Sequence, residues 1–321
     1  MMRIVFCGTP SFAVPTLKHL LSQSDFEVVG VITQPDRPRG RGQEVSFSAV
    51  KEMALAAKLA VHQPEKIRAA ENAALLQKLA LDCVVIIAYG QIIPARMLTI
   101  PKLGWINLHA SLLPKYRGAA PINWAIVNDE TRTGVTTMRI DAGMDTGEML
   151  LRREVEIGPN ETAPELTVRI AGLGAPLMVE TLRGLAAGTI LSKAQNHAVA
   201  SYAPMLKRED GRIDWKRPAR EIYNRMRGFA PWPGAYTTFR GQSCHVWGEA
   251  VSNEGGPSLP SGADAAGPGT LLCGKNELIV WCGDATVLRV RAVKLEGRKQ
   301  VSAAEFANGA RLKSGERFGD T

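Results

Sequence analysis

The sequence has few cysteines: five in 321 residues (Cys7, Cys83, Cys244, Cys273, Cys282), odd in number and scattered. They form no CxxC pair and stand beside no closely spaced histidines, which excludes a disulfide framework and a cysteine-based zinc site and suits a reducing cytoplasm. No apolar run approaches the ~20 residues that cross a bilayer. The start, MMRIVFCGTP, enters a strand-like run with neither a charged leader nor a cleavage-site pattern, so the product is expected to stay in the compartment that makes it. Glycine is short where a dinucleotide needs it. The first strand runs into CGTPSF, one glycine in place of GxGxxG, and there is no GxxxxGK[ST] loop. Hydride transfer from a nicotinamide therefore has no support. No ligand cluster for a metal and no internal repeat is present.

Apolar residues make up 45% of the chain and charged residues 22%, the balance of a globular enzyme. The length exceeds one comfortable core and predicts two domains. Net charge is +8. From Lys207 onward, 18 Lys and Arg face 13 Asp and Glu, so the basic excess is weighted to the C-terminal part and hints at a polyanionic partner.

The first half alternates strand-like runs (3–7, 28–33, 83–88, 105–109) with helical patterning (11–21, 50–60, 67–79). That alternation predicts an α/β fold: a Rossmann-like, mostly parallel sheet with helices on both faces. Strands over 134–140 and 148–157 and a closing helix over 163–185 complete a domain of residues 1–189. Residues 190–207 lose periodicity and read as a linker. Residues 208–321 carry a helix near 218–227, the proline-fixed turn FAPWPGAY and five short strand-like runs, which fits a small OB-like β-barrel. The Gly/Pro/Ser-rich stretch 252–269 reads as a mobile loop between strands.

The chemistry concentrates in INLHASLLPKYRG (106–118). Asn107 and His109 lie two apart at a strand end, so the amide and imidazole share a face. An oxyanion donor beside a titratable base suits acyl-group chemistry, although polar residues simply satisfied at a strand end would show the same spacing. Asp145, in DAGMDTG, could orient the imidazole; Asp141 is its chemical equal, and either could be a turn-forming aspartate. In TQPDRPRGRGQ, Arg37, Arg39 and Arg41 alternate with Pro and Gly, which forbid a helix and predict a protruding loop able to engage phosphates or merely to be solvated.

Seven segments together resemble the methionyl-tRNA formyltransferases along nearly the whole chain: FCGTPSFA, TQPDRPRGRG, AYG, NLHASLLPKYRGAAPINWAI, MDTGEML, GRIDW and FAPWPGA. The resemblance implies a catalytic trio of Asn107, His109 and Asp145. It also implies a donor-binding turn of Ser111, Leu112, Leu113 and Pro114, with Ala88, Tyr89 and Gly90 beside it. Arg41 matches an arginine that probes the end of the tRNA acceptor stem, with Arg37 and Arg39 in the same loop. Only the loop's downstream half (44–48) is less basic than the family pattern. The implied donor is 10-formyltetrahydrofolate and the implied acceptor is initiator methionyl-tRNA, with no metal, no membrane and a monomeric, cytoplasmic enzyme. Lys207, Arg208, Arg298 and Lys299 are candidate tRNA contacts from charge alone.

Other acceptors stay open at this point. A nucleotide-sugar amine formyltransferase or a formate-releasing hydrolase would share the trio, yet neither calls for the arginine loop or the basic C-terminal part. A glycinamide ribonucleotide transformylase would be a shorter single domain. A non-catalytic RNA-binding protein would explain the charge but not the Asn, His and SLLP cluster.

Overall fold

A computed structural model describes residues 1–39, 44–251, 267–274, 277–313 and 315–319. The described residues divide into two compact units: residues 1–121, 132–156 and 165–204, and residues 122–131, 157–164 and 205–321.

The elements before the active-site strand are β1 (Met2–Gly8), α1 (Val14–Leu21), β2 (Phe26–Ile32), β3 (Arg37–Arg39), β4 (Glu44–Ser46), α2 (Ala49–Ala56), β5 (Val61–His62), α3 (Ala70–Lys78), β6 (Cys83–Ile87) and α4 (Ala95–Leu98). Then come β7 (Trp105–His109), β8 (Arg117–Gly118), α5 (Pro121–Val127), β9 (Arg132–Arg139), β10 (Met149–Glu156), α6 (Ala163–Ala186) and β11 (Tyr202–Ala203).

Seven strands form the sheet of the first unit, in the order β10-β9-β7-β6-β1-β2-β5. Pairing is parallel from β5 through β7 and antiparallel from β7 to β9 and β10. This is the mostly parallel, Rossmann-like order expected, with its switch of direction beside β1, where ligands of such sheets gather at the carboxyl ends of the strands.

All five residues of β7 are buried, as befits a strand paired on both edges and covered on both faces. Trp105 belongs to the core that α3 and α4 cover, with Val84, Ile86, Leu76 and Met97. Asn107 and His109 follow on that same face by alternation. Leu108 faces the other way, onto α6. A Cβ on Gly174 of α6 would lie 2.4 Å from Leu108 Cδ2, so the glycine permits this close approach. Beside it, Thr137 and Thr181 share a buried hydrogen bond of 2.8 Å. Helices therefore cover both faces of β7.

The stretch expected to be a linker is instead built into the first unit as far as residue 204. Lys193 bridges to Met149, and β11 pairs in parallel with β8. It had no periodicity to read because its order comes from side-chain hydrogen bonds and a two-residue ladder.

The second unit continues with α7 (Ala219–Gly228), β12 (Tyr236–Phe239), β13 (Gln242–Ala250), β14 (Leu271–Cys273), β15 (Leu278–Trp281), β16 (Val287–Leu295), β17 (Val301–Ser302) and α8 (Ala303–Ala310). Its sheet runs β12-β13-β16-β15-β14, with β17 added to β16. Phe318 bridges to Phe239 and Arg317 to Thr270, so the C-terminal segment hydrogen-bonds both edge regions. Among the described residues this makes a C-terminal β-sheet domain. Its core gathers Trp215, Ile222, Met226, Val246, Val290 and Phe306. Most of the 252–269 stretch lies outside the described residues.

Cys7, Cys83, Cys244 and Cys282 are buried free thiols. Burial pushes the Cys244 and Cys282 thiols up to about 12, which leaves them protonated and inert. No helix among the described residues is long and apolar enough to cross a membrane.

Candidate active site

β7 delivers Asn107 and His109 to the carboxyl edge of the sheet, 8% and 6% exposed. His109 Nε2 lies 2.8 Å from the Tyr116 carbonyl oxygen. A carbonyl can only accept, so this contact puts the neutral ring's proton on Nε2 and its lone pair on Nδ1. Nδ1 in turn faces Asp145 Oδ2 at 3.6 Å. A proton reaching Nδ1 would sit between an imidazole and a carboxylate, both of which stabilise it.

Asp145 is placed by backbone rather than by partners on its own loop. Its φ is +52°, a left-handed conformation that an aspartate tolerates better than most residues. Oδ2 accepts the Gly118 N–H at 2.8 Å. Gly147 must be glycine, since a Cβ there would lie 1.9 Å from the Arg139 carbonyl oxygen. Asp141 serves the turn instead: its carboxylate accepts from Gly143 N at 3.0 Å and from Thr146 Oγ1 at 2.7 Å. The two aspartates that chemistry alone left equal are thus separated by where the loop puts them.

The amide of Asn107 has a different situation. Among the described residues, its side chain makes no hydrogen bond. Its amide is not among the polar atoms sealed from solvent without a partner, so on the histidine's face it is a donor open to something outside the protein.

The other residues singled out from sequence divide between lining and scaffolding. Ser111 is fully buried and donates to the Lys115 carbonyl at 2.6 Å, closing the turn. Thr136 locks the same turn by donating to the Ser111 carbonyl at 2.7 Å and accepting from Leu113 N at 3.2 Å. Leu113 packs with Met138 and Met149, while Leu112 and Pro114 are half-buried. Ala88 (φ +47°) and Gly90 (φ +89°) bend the chain sharply after β6. Between them the Tyr89 side chain turns into the hydrophobic core, 2% exposed, with no hydrogen-bond partner for its hydroxyl. Burial pushes that phenol well above its ordinary range. The AYG bend thus keeps the tyrosine ring in the core, and the Tyr89 carbonyl accepts from Gln34 Nε2 at 3.0 Å.

The arginine loop rises from an antiparallel ribbon of β3 and β4. Arg37 is exposed, with Glu65 3.9 Å away; Arg39 pairs through its backbone with Glu44. Arg41 lies outside the described residues. Lys51 ties the two ends of the ribbon. It bonds the Asp36 carboxylate, holding that carboxyl below its ordinary value, and its ammonium sits 3.9 Å from the centre of the Phe47 ring.

Sequence reasoning missed Gln195, Arg117 as a buried side chain, and Ser201. Gln195 and Ser201 come from the stretch read as a linker, and nothing in its composition marks them. Arg117 stood in a basic turn, where a charged side chain is ordinarily solvated.

Comparison with known proteins agrees with this architecture. Residues 2–182 match the family described as "Formyl transferase", and residues 205–311 match "Formyl transferase, C-terminal domain". A sugar 3N-formyl transferase, WlaRD, solved with dTDP and 5-N-formyl-THF, superposes with a TM-score of 0.64 at 20% identity, covering 93% of this chain and 99% of its own. Glycinamide ribonucleotide transformylase 1 from Symbiobacterium toebii gives 0.51 at 22% identity, covering 61% of this chain and 95% of its own. Fold and site thus define an enzyme of the formyl transferase class.

The curated relatives are narrower. The "Methionyl-tRNA formyltransferase" of Solibacter usitatus is 54% identical over 320 residues, 99% of both chains. That of Geobacter metallireducens is 48% identical over 319 residues, again 99% of both. The chain belongs to the methionyl-tRNA formyltransferase family.

Proposed function

We propose that this chain transfers the formyl group of 10-formyltetrahydrofolate to the α-amine of methionine on initiator tRNA, giving N-formylmethionyl-tRNA for translation initiation. The observation that carries the reading is the unpaired Asn107 amide beside the His109–Asp145 pair. The full-length relatives carry this activity in their names, and WlaRD was solved with a folate.

The steps balance as follows. An ordinary α-amine has a pKa of about 8, so a neutral fraction exists at neutral pH. Its nitrogen attacks the formyl carbon, a C–N bond forms, and the carbonyl electrons move onto oxygen. Asn107 donates to that oxygen. The proton leaving the attacking nitrogen passes to His109 Nδ1, directly or through one water, and Asp145 stabilises the imidazolium. Collapse breaks the bond from the formyl carbon to the folate nitrogen, which takes up the proton and leaves as tetrahydrofolate. The turn at 111–114 and the bent backbone at 88–90 frame the donor.

Arg41, Arg37 and Arg39 read the acceptor stem, and the enzyme acts as a cytoplasmic monomer. The direct test is formyl transfer from the folate donor to methionyl initiator tRNA. Formylated product with both substrates and none with the uncharged tRNA is expected; no product with methionyl-tRNA would overturn the reading.

The loop has its own test. Arg41→Ala should weaken discrimination between initiator and elongator methionyl-tRNA by about tenfold, the worth of one charge-assisted contact, while donor binding is unchanged. Comparing kcat/KM on the two tRNAs checks this, and an unaltered ratio removes Arg41 from recognition.

A further inference from the structure

The segment that follows the first unit's last long helix reaches the site through side chains as well as through its β11 ladder. Gln195 is 5% exposed, and every hydrogen-bonding position of its amide is used. Nε2 donates to the carbonyls of Asp145 and Gly147, each at 2.8 Å. Oε1 accepts from Arg117 Nε at 3.1 Å and Nη2 at 2.7 Å. Arg117 is itself 2% exposed, and its remaining arm donates to His197 Nδ1 at 3.2 Å. It makes no ion pair among the described residues; its fork is committed to holding the glutamine.

From this geometry we infer that Gln195, gripped by Arg117, is a positioning residue for Asp145, an inference that rests on the catalytic reading above. The aspartate's loop has no regular structure over 141–147 and carries Asp145 at a left-handed φ that L residues adopt only at a cost. Something outside the loop must hold it. Gln195 grips the backbone on both sides of Thr146, and Gly118 N grips the carboxylate. The three consecutive residues 116–118 thereby serve both partners: Tyr116 O fixes the imidazole, Gly118 N the carboxylate, and the Arg117 side chain the glutamine. Ser201 holds this tripeptide from behind, its Oγ accepting from Tyr116 N at 2.9 Å and its carbonyl from Arg117 N at 2.8 Å. The glutamine touches no substrate; it acts through the carboxylate that faces His109.

Gln195→Glu isolates this role. The introduced carboxylate keeps Arg117 engaged, now as an ion pair, but turns acceptor oxygens toward two carbonyls and releases the loop. In the full-length enzyme, kcat should fall about 10- to 100-fold, the usual cost of a misplacement near 1 Å, while KM for donor and for tRNA changes less than about threefold. In the Asp145→Asn background the same substitution should cost less than about twofold further, because its route to the chemistry is already gone. A Gln195→Glu enzyme within about twofold of wild type overturns the inference, as do losses that multiply in the double variant. Should Gln195→Glu fold poorly, Gln195→Met, which removes the donors without adding charge, must show the same kcat loss at unchanged KM; wild-type turnover there also overturns it. Near-wild-type activity of Asp145→Asn alone would instead refute the catalytic reading, so the two failures are distinguishable.

Discussion

Replacing Asn107 with alanine should reduce turnover on the order of 10²–10³-fold, the usual cost of losing one donor to a tetrahedral oxyanion. Donor affinity should change little, because the amide's worth is greatest where the oxygen carries charge, and ground-state carbonyls bind it weakly. Stability should be retained. The amide makes no side-chain hydrogen bond among the described residues, so its removal takes away no polar contact within the fold. The measurement is single-turnover formyl transfer alongside folate titration and a thermal midpoint. A variant with wild-type turnover sinks the oxyanion role. A variant that loses turnover together with several degrees of thermal midpoint would recast Asn107 as a structural residue.

Much of this was legible in the sequence because it depends on local rules. β7 covers Trp105–His109, as its run of apolar residues indicated, and alternation alone puts Asn107 and His109 on one face. The helix closing the first unit runs from Ala163 to Ala186 despite Gly172, Gly174 and Pro176 inside it. What stayed hidden depends on tertiary placement. Asp141 and Asp145 share a loop and a chemistry, and only the left-handed turn at Asp145 and the Gly118 N–H separate them. The resemblance places Tyr89 beside the donor-binding turn; that its ring lies in the core follows from the positive φ at Ala88, which breaks strand alternation. Residues 190–204 carry no hydrophobic period, because polar side chains do their ordering. A pattern search based on burial does not register such a segment.

The Asp145→Asn substitution should cost more than its size suggests. The change is isosteric, and the amide oxygen can still accept the Gly118 N–H that Oδ2 accepts at 2.8 Å. The loop and the fold therefore have no reason to move. That same oxygen faces His109 Nδ1 at 3.6 Å, but as a neutral amide it brings no negative charge to the ring. With Nε2 committed to the Tyr116 carbonyl, the lone pair on Nδ1 stays open to receive the proton. The substitution thus removes the charge that stabilises the imidazolium while the proton acceptor stays in place. A loss of about 10²–10⁴ in kcat is expected, the range for an acid–base function removed, with substrate KM values unaltered. Asp145→Ala, which loses the charge and the Gly118 contact together, should be less stable than Asp145→Asn and no more active per folded molecule. Paired kcat and thermal midpoint measurements on the two variants decide it. If the alanine variant is the slower and the asparagine variant lies within about threefold of wild type, Asp145 acts on the loop and not on the proton.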